Sequence, residues 1–403
     1  LCVRWRSHPS PSPETLCAKN NMSFDFLKYK ENQHLVSVEV PRKKDYYYDL
    51  LNIEHSFTGR VDAWLSNTFI HESAQLLVNA INLFEMGYFD CAYYSLRQSL
   101  ELSTTMIYLV DIDENKKEIE LEKWKREKRF PMQAQMMEFL SKNGSIFKDF
   151  KLKLKSYFDQ LDSSKTKLNK FVHKQGLDKF YVARNHPING NKSRENFINE
   201  FENHLKTCIG AVAVFRLGID PFPILLNDEE IFHRTGDLMT EAYSEEFIEM
   251  YIGHEAVECY KKTEIYQGHY DYFISQEKKD ECVTNIVKHQ YIDTEKIAEI
   301  LHQKHLLSDT DLFAVLLCNS SDKITKIYTT GGFAQYFTNR NTVRKKTSWD
   351  SRDFNKFKDC KPPSNIPYDE AFITYILLNE EGYFIEHNEP FSSEEIEEIK
   401  KNT

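Results

Sequence analysis

The chain has 403 residues, 41% hydrophobic and 13% aromatic, enough to bury real cores and to suit two or three domains. A formal charge of −10 excludes a dedicated duplex-DNA coat, since phosphate binding needs a positive surface, but it leaves room for a local basic groove. No apolar run approaches the roughly 20 residues that span a bilayer, and eight singly scattered cysteines without a C-x-x-C pair point to reduced thiols in a cytoplasmic protein.

Residues 1–21 precede the first methionine, Met22, and their Ser-Pro-rich middle lacks both an apolar h-region and the means to build a core. They are expected to be a leader or non-native extension. Residues 22–57 form a charged, tyrosine-rich arm containing "PRKKDYYYDLLNIEH". From 58 to 220 the pattern is helical. Leu65, Ile70, Ala74, Leu77, Ile81 and Phe84 make one apolar stripe, and Gly87 breaks it at a short "GYFD" turn that implies an antiparallel hairpin.

In the second helix of that hairpin, Tyr93, Leu96, Leu100 and Ile107 share the inward face, and Arg97, Glu101, Thr104 and Tyr108 form the stripe beside it. The charged run "DENKKEIELEKWKREKR" is either an exposed helical extension or a loop. Pro131 opens a helix with Met132, Met136, Phe139 and Leu140 inward, which Gly144 ends. A single further helix is expected through Phe147, Phe150, Leu154, Tyr157, Phe158 and Leu161. Another carries Ile198, Phe201, Leu205, Cys208, Val212 and Phe215, completing a bundle of four or five helices.

Pro221 and Pro223 in "GIDPFPILLND" end the bundle as a packed linker, and a second domain is placed at 221–403. Helices are expected at 241–262 and 278–305, then β-type runs "LFAVLLC", "KITKIYTT", "AFITYILL" and "GYFIEH". The tail "SSEEIEEIKKN" starts on a capping box. The expected fold class is therefore α+β: a mainly helical N-terminal bundle followed by an α+β domain with a small antiparallel sheet.

Chemistry concentrates at few positions. Arg97 and Glu101 border the core, as a polar seam or as a guanidinium fork for a phosphate or carboxylate. His173 ends an amphipathic segment, and Arg184 and His186 share the loop "ARNHPING". Arg beside His suits metal-independent RNA cleavage, one group holding phosphate while the other moves a proton at the 2′-hydroxyl. Arg344, Lys345 and Lys346 stand near Trp349, a pairing that suits single-stranded nucleic acid, although such a run is more often a solvated loop. His302 and His305 sit a turn apart without an evident third ligand, so no metal or cofactor is expected.

The runs "INLFEMGYFDCAYYSLRQSLELS" and "LNKFVHKQG" resemble the HEPN-type helical-bundle superfamily of prokaryotic conflict and abortive-infection proteins, over residues 58–217. Catalytic members carry an Arg, a polar residue, and a His after a gap of four to six residues, and act as dimeric metal-independent ribonucleases. Here Arg184 and His186 have one residue between them. The resemblance implies an RNA-directed effector or regulator of bacterial stress, phage defence or toxin–antitoxin type. It would be a homodimer, with Arg184, His186 and His173 as catalytic residues and the second domain as sensor. The missing spacing keeps a non-enzymatic interaction protein, using the bundle as a docking surface for a protein partner, as the other reading.

Overall fold

The computed structural model describes residues 37–60, 63–180, 193–329, 336–340, 364–378 and 381–402. The 1–21 extension, Arg184, His186, Arg344, Lys345, Lys346 and Trp349 lie outside the described residues.

The stripe read from the sequence builds α2 (Trp64–Glu85), which follows α1 (Lys43–His55). Ile70, Ala74, Leu77, Ile81 and Phe84 are buried, whereas Leu65 only packs at the margin. Gly87, at φ 77°, closes the helix: its N–H donates to Phe84 O at 3.0 Å and that of Tyr88 to Leu83 O at 2.8 Å. This paired cap needs a left-handed residue, which glycine adopts without strain. The chain then reverses into α3 (Phe89–Asp111).

The charged run is helical, as α4 (Glu114–Lys125), and its Trp124 ring lies 5.5 Å from that of Phe69. α5 (Gln133–Asn143) ends at Gly144 as expected, but Met132 stays exposed. The single helix expected next is two, α6 (Ile146–Lys153) and α7 (Lys155–Val172). The break falls at Leu154, whose backbone (φ −96°, ψ 35°) leaves the helix while its side chain remains buried, so the apolar stripe runs through uninterrupted. α8 (Arg194–Arg216) lies in the middle of the packing, with Phe201 stacked 3.8 Å from Phe84.

Beyond α8 the prolines act as expected locally: Pro223 opens the four-residue α9 (Phe222–Leu225), all of it buried. The packing boundary, however, falls later than Pro221. Short helices α10 (Glu229–Phe232), α11 (Glu245–Phe247), α12 (His254–Tyr260) and α13 (Glu264–Ile274) still belong to the first apolar core, which runs from Val38 to Tyr266. Tyr243 Oη donates to Ala213 O at 3.2 Å and Tyr260 Oη to Leu217 O at 3.0 Å, tying this stretch to α8. A π-turn at Ile248–Ile252 presses so closely on α8 that a Cβ on Gly210 would fall 2.1 Å from Tyr251 O.

The second core begins at Cys282. It comprises α14 (Glu281–His289), α15 (Ile297–His302), α16 (Asp309–Ser320), five strands and α17 (Ser393–Asn402). "LFAVLLC", expected as a strand, is the body of α16. Ser308 and Asp311 form a reciprocal capping box, and the run is largely leucine and alanine, which favour helix. β1 (Ile324–Thr329), β2 (Tyr336–Thr338), β3 (Ile366–Tyr368), β4 (Ala371–Leu378) and β5 (Glu381–His387) form an antiparallel sheet of order β2-β1-β5-β4-β3. The capping box of α17 appears as read, with Glu395 N–H donating to Ser392 Oγ and Ser392 N–H to Glu395 Oε2.

The two lobes meet where the 232–236 loop docks on α14. Lys288 Nζ donates to Thr235 Oγ1 at 2.8 Å and sits 4.4 Å from the Phe232 ring centre. Among the described residues no helix is long and apolar enough to cross a membrane.

Candidate functional site

α3 and α7 pack antiparallel, so reading down one helix means reading up the other. Asp90 pairs with Lys174, Tyr94 Oη donates to Val172 O at 3.1 Å, and Tyr93 stacks on Phe171 at 4.3 Å. One turn further along, Arg97 and Glu101 of α3 face Asn169 and Lys165 of α7 across a cleft of 550 Å³. Pro131, Met132, Gln133 and Met136 at the start of α5 form another wall, and Trp124 and Phe130 complete the lining. That volume lies within the range of ordinary small-ligand pockets.

Arg97 and Glu101 fall where the spacing put them, at the border of the core. Arg97 Nη2 lies 2.7 Å from Glu101 Oε1, each about a quarter exposed (27% and 25%). Exposed i,i+4 pairs contribute about 0.3–0.5 kcal/mol; with most of both side chains covered, this pair is less screened by water. Thr104 and Tyr108, expected beside them on the border, are buried instead. The Thr104 hydroxyl donates to Leu100 O at 2.8 Å and accepts from Gln133 Nε2 at 3.2 Å, which draws it into the bundle.

Two polar atoms lie behind the wall of the cleft. Arg97 Nε and Asn169 Oδ1 are both buried without a hydrogen-bond partner. Both atoms are closed to solvent, so neither is presented to the open cavity. Lys165 is partly buried, and burial pushes its pKa below the ordinary lysine value; Asp162 and Glu101 oppose that shift, while Arg97 and Lys151 add to it.

His173 is exposed at the C-terminal cap of α7, its N–H donating to Asn169 O at 2.9 Å. It follows Lys165 by eight residues, about 12 Å of helix rise, and does not line the cleft. His305 Nε2 donates to Glu277 Oε2 at 2.9 Å, and no cluster of three or more metal-ligating side chains occurs among the described residues. A larger opening of 790 Å³ beside Arg42, Lys43, Lys44 and Arg194 has most of its cations committed already. Lys43 pairs with Glu85, Arg42 with Asp45, and Arg194 donates to Ser37 O.

Spacing along α3 marked Arg97 and Glu101 but not Lys165, Asn169 or Trp124, which come from distant segments. One signal for Lys165 was present. Leu161, Lys165, Leu168 and Val172 follow a four-three-four spacing, so a lysine occupies a core-type position on α7. Comparison with known proteins adds no assignment: no family model, no curated protein and no solved structure matches the chain.

Proposed function

We propose that this protein is an RNA-directed regulator or effector whose helical lobe recognises an unpaired segment of RNA in the Arg97–Lys165 cleft. The observation that carries the reading is the lining itself: two cations, a carboxylate and the side-chain amides of Gln98 and Gln133, beside the rings of Trp124 and Phe130. Splayed bases are held by stacking on aromatic rings and by hydrogen bonds to their edges, and this set supplies both. The net charge of −10 confines such binding to a local site and disfavours a broad coat. The resemblance to HEPN-type bundles is consistent with RNA as the ligand and supplies the expectation of a homodimer and a defence role.

Binding is favoured over cleavage because the described lining contains no histidine, and His173, one turn beyond Asn169, is exposed at the end of α7 and does not line the cleft. The test is fluorescence anisotropy with a labelled single-stranded RNA of about 10 nucleotides, in EDTA, against the wild-type protein, Arg97→Ala and Trp124→Ala. Each variant should weaken binding by about tenfold, with the RNA recovered intact. Absence of wild-type binding, or equal binding by all three proteins, overturns the reading. RNA shortened by the wild type but not by His173→Ala would favour the ribonuclease instead.

A further inference from the structure

We infer that the cleft seats a terminal phosphate of its RNA, held between the Arg97 guanidinium, the Lys165 ammonium and the first turn of α5. This deepens the proposal above and rests on it.

Lys165 supplies the first argument. It stands at a core-type position, partly buried, with no hydrogen-bond or ion-pair partner among the described residues. Partial burial without a partner disfavours the charged form, and an anion beside the ammonium offsets that cost. Its neighbours do not fill that role. Asp162 on the same helix and Glu101 on α3 offset the burial only in part, while Arg97 on α3 and Lys151 on α6 repel it.

Arg97 supplies the second. Glu101 engages its Nη2 at 2.7 Å, and a guanidinium has five N–H donors, so it keeps donors for a second acceptor. A phosphate, with more charge and three acceptor oxygens, competes with the Glu101 carboxylate for the guanidinium.

The third is backbone. Pro131, Met132, Gln133 and Ala134 line the cleft at the start of the 11-residue α5. The Met132 N–H is taken by Gln135 Oε1 at 2.9 Å, but no side chain caps the Gln133 and Ala134 N–H groups. First-turn amides and the positive helix end favour an anion at this wall. Two cations and a helix N-terminus thus stand against one carboxylate. Walls from α3, α4, α5 and α7 around the cavity suit a chain end better than a strand passing through.

The experiment compares RNAs of one sequence ending in 5′-phosphate, 3′-phosphate or hydroxyl at both ends. They are titrated against the full chain, Lys165→Met and Glu101→Gln, with a urea melt on each protein to confirm folding. The wild type should prefer one phosphorylated RNA over the hydroxyl RNA by about tenfold or more, and the preferred end identifies which terminus enters. Lys165→Met should lose that preference, and Glu101→Gln, which removes the competing carboxylate, should enlarge it. Should Lys165→Met fail to fold, the Glu101→Gln result decides: an unchanged or smaller preference overturns the inference. Equal wild-type affinity for all three RNAs overturns the phosphate seat and leaves RNA recognition standing. No binding to any of them overturns both.

Discussion

A buried polar cluster in the sheet lobe and an open cleft in the helical lobe treat their polar groups differently. In the sheet lobe, His387 is fully buried, yet both ring nitrogens are used. Nε2 meets Thr374 Oγ1 at 2.9 Å and Nδ1 meets Glu389 O at 2.7 Å, with Phe391 stacked at 4.0 Å. The Thr374 hydroxyl also accepts from Asn365 N–H at 2.9 Å. Nothing there is left over for a ligand. In the helical lobe, the Arg97–Lys165 cleft holds a guanidinium paired with one carboxylate, and an ammonium with no hydrogen-bond partner among the described residues, beside open volume. A satisfied polar cluster fixes a fold, whereas charged groups lining an open cavity keep donors free.

That contrast is open to attack by mutation, beginning with the cores. Phe84→Ala empties the stack with Phe201 and the edge contact with Phe89, and should cost about 4 kcal/mol in the helical lobe by urea unfolding. A cost below about 1 kcal/mol would mean the core is not built as described.

Next in size is a pH effect. His204 is 6% exposed between Tyr93 and Phe171, and burial pushes its pKa down to about 4 from 6.5. Between those values the unfolded chain binds a proton that the folded chain refuses. Its contribution is therefore fully present above pH 6.5 and lost as pH falls toward 4, by about 3 kcal/mol. Urea melts across that window should slope accordingly, and His204→Phe should remove most of the slope.

Asp111, at the end of α3, should matter somewhat less. Its carboxylate accepts from the N–H groups of Ser145, Ile146 and Phe147, each at 2.9 Å, and so caps α6 from another helix. Asp111→Ala should cost about 2 kcal/mol, at the upper end for a lost helix cap. The smallest stability effect is expected at the cleft. Trp124 is 40% exposed, so Trp124→Ala should change stability by less than about 1 kcal/mol while weakening RNA binding about tenfold. A large stability loss with unchanged binding would reverse the comparison.

Much of this was readable from local pattern. The α2 stripe, the Gly87 turn and the Ser392–Glu395 box are each written within a few residues, where helical spacing and capping chemistry act directly. "LFAVLLC" was misread because a short apolar run has no period that separates buried strand from buried helix; the Ser308–Asp311 box upstream was the better guide. The break at Leu154 left no trace, since the side chains on either side continue one stripe. Pro221 marks a change of sequence character, but residues 222–266 return to α8 through tertiary contacts that no local signal encodes. The cleft was half legible for the same reason: Arg97 and Glu101 share a helix, whereas Trp124, Lys165 and Asn169 are brought to them only by folding.

The most direct test of RNA recognition in this cleft uses its own methionines. Of the eight in the chain, Met132 and Met136 line the cavity, while Met239 and Met250 lie elsewhere. With methyl-labelled methionine, titration of single-stranded RNA should shift the Met132 and Met136 signals and leave those of Met239 and Met250 in place. RNA that binds while moving only the distant methyls, or moving none of the four, would contradict the assignment of this cleft.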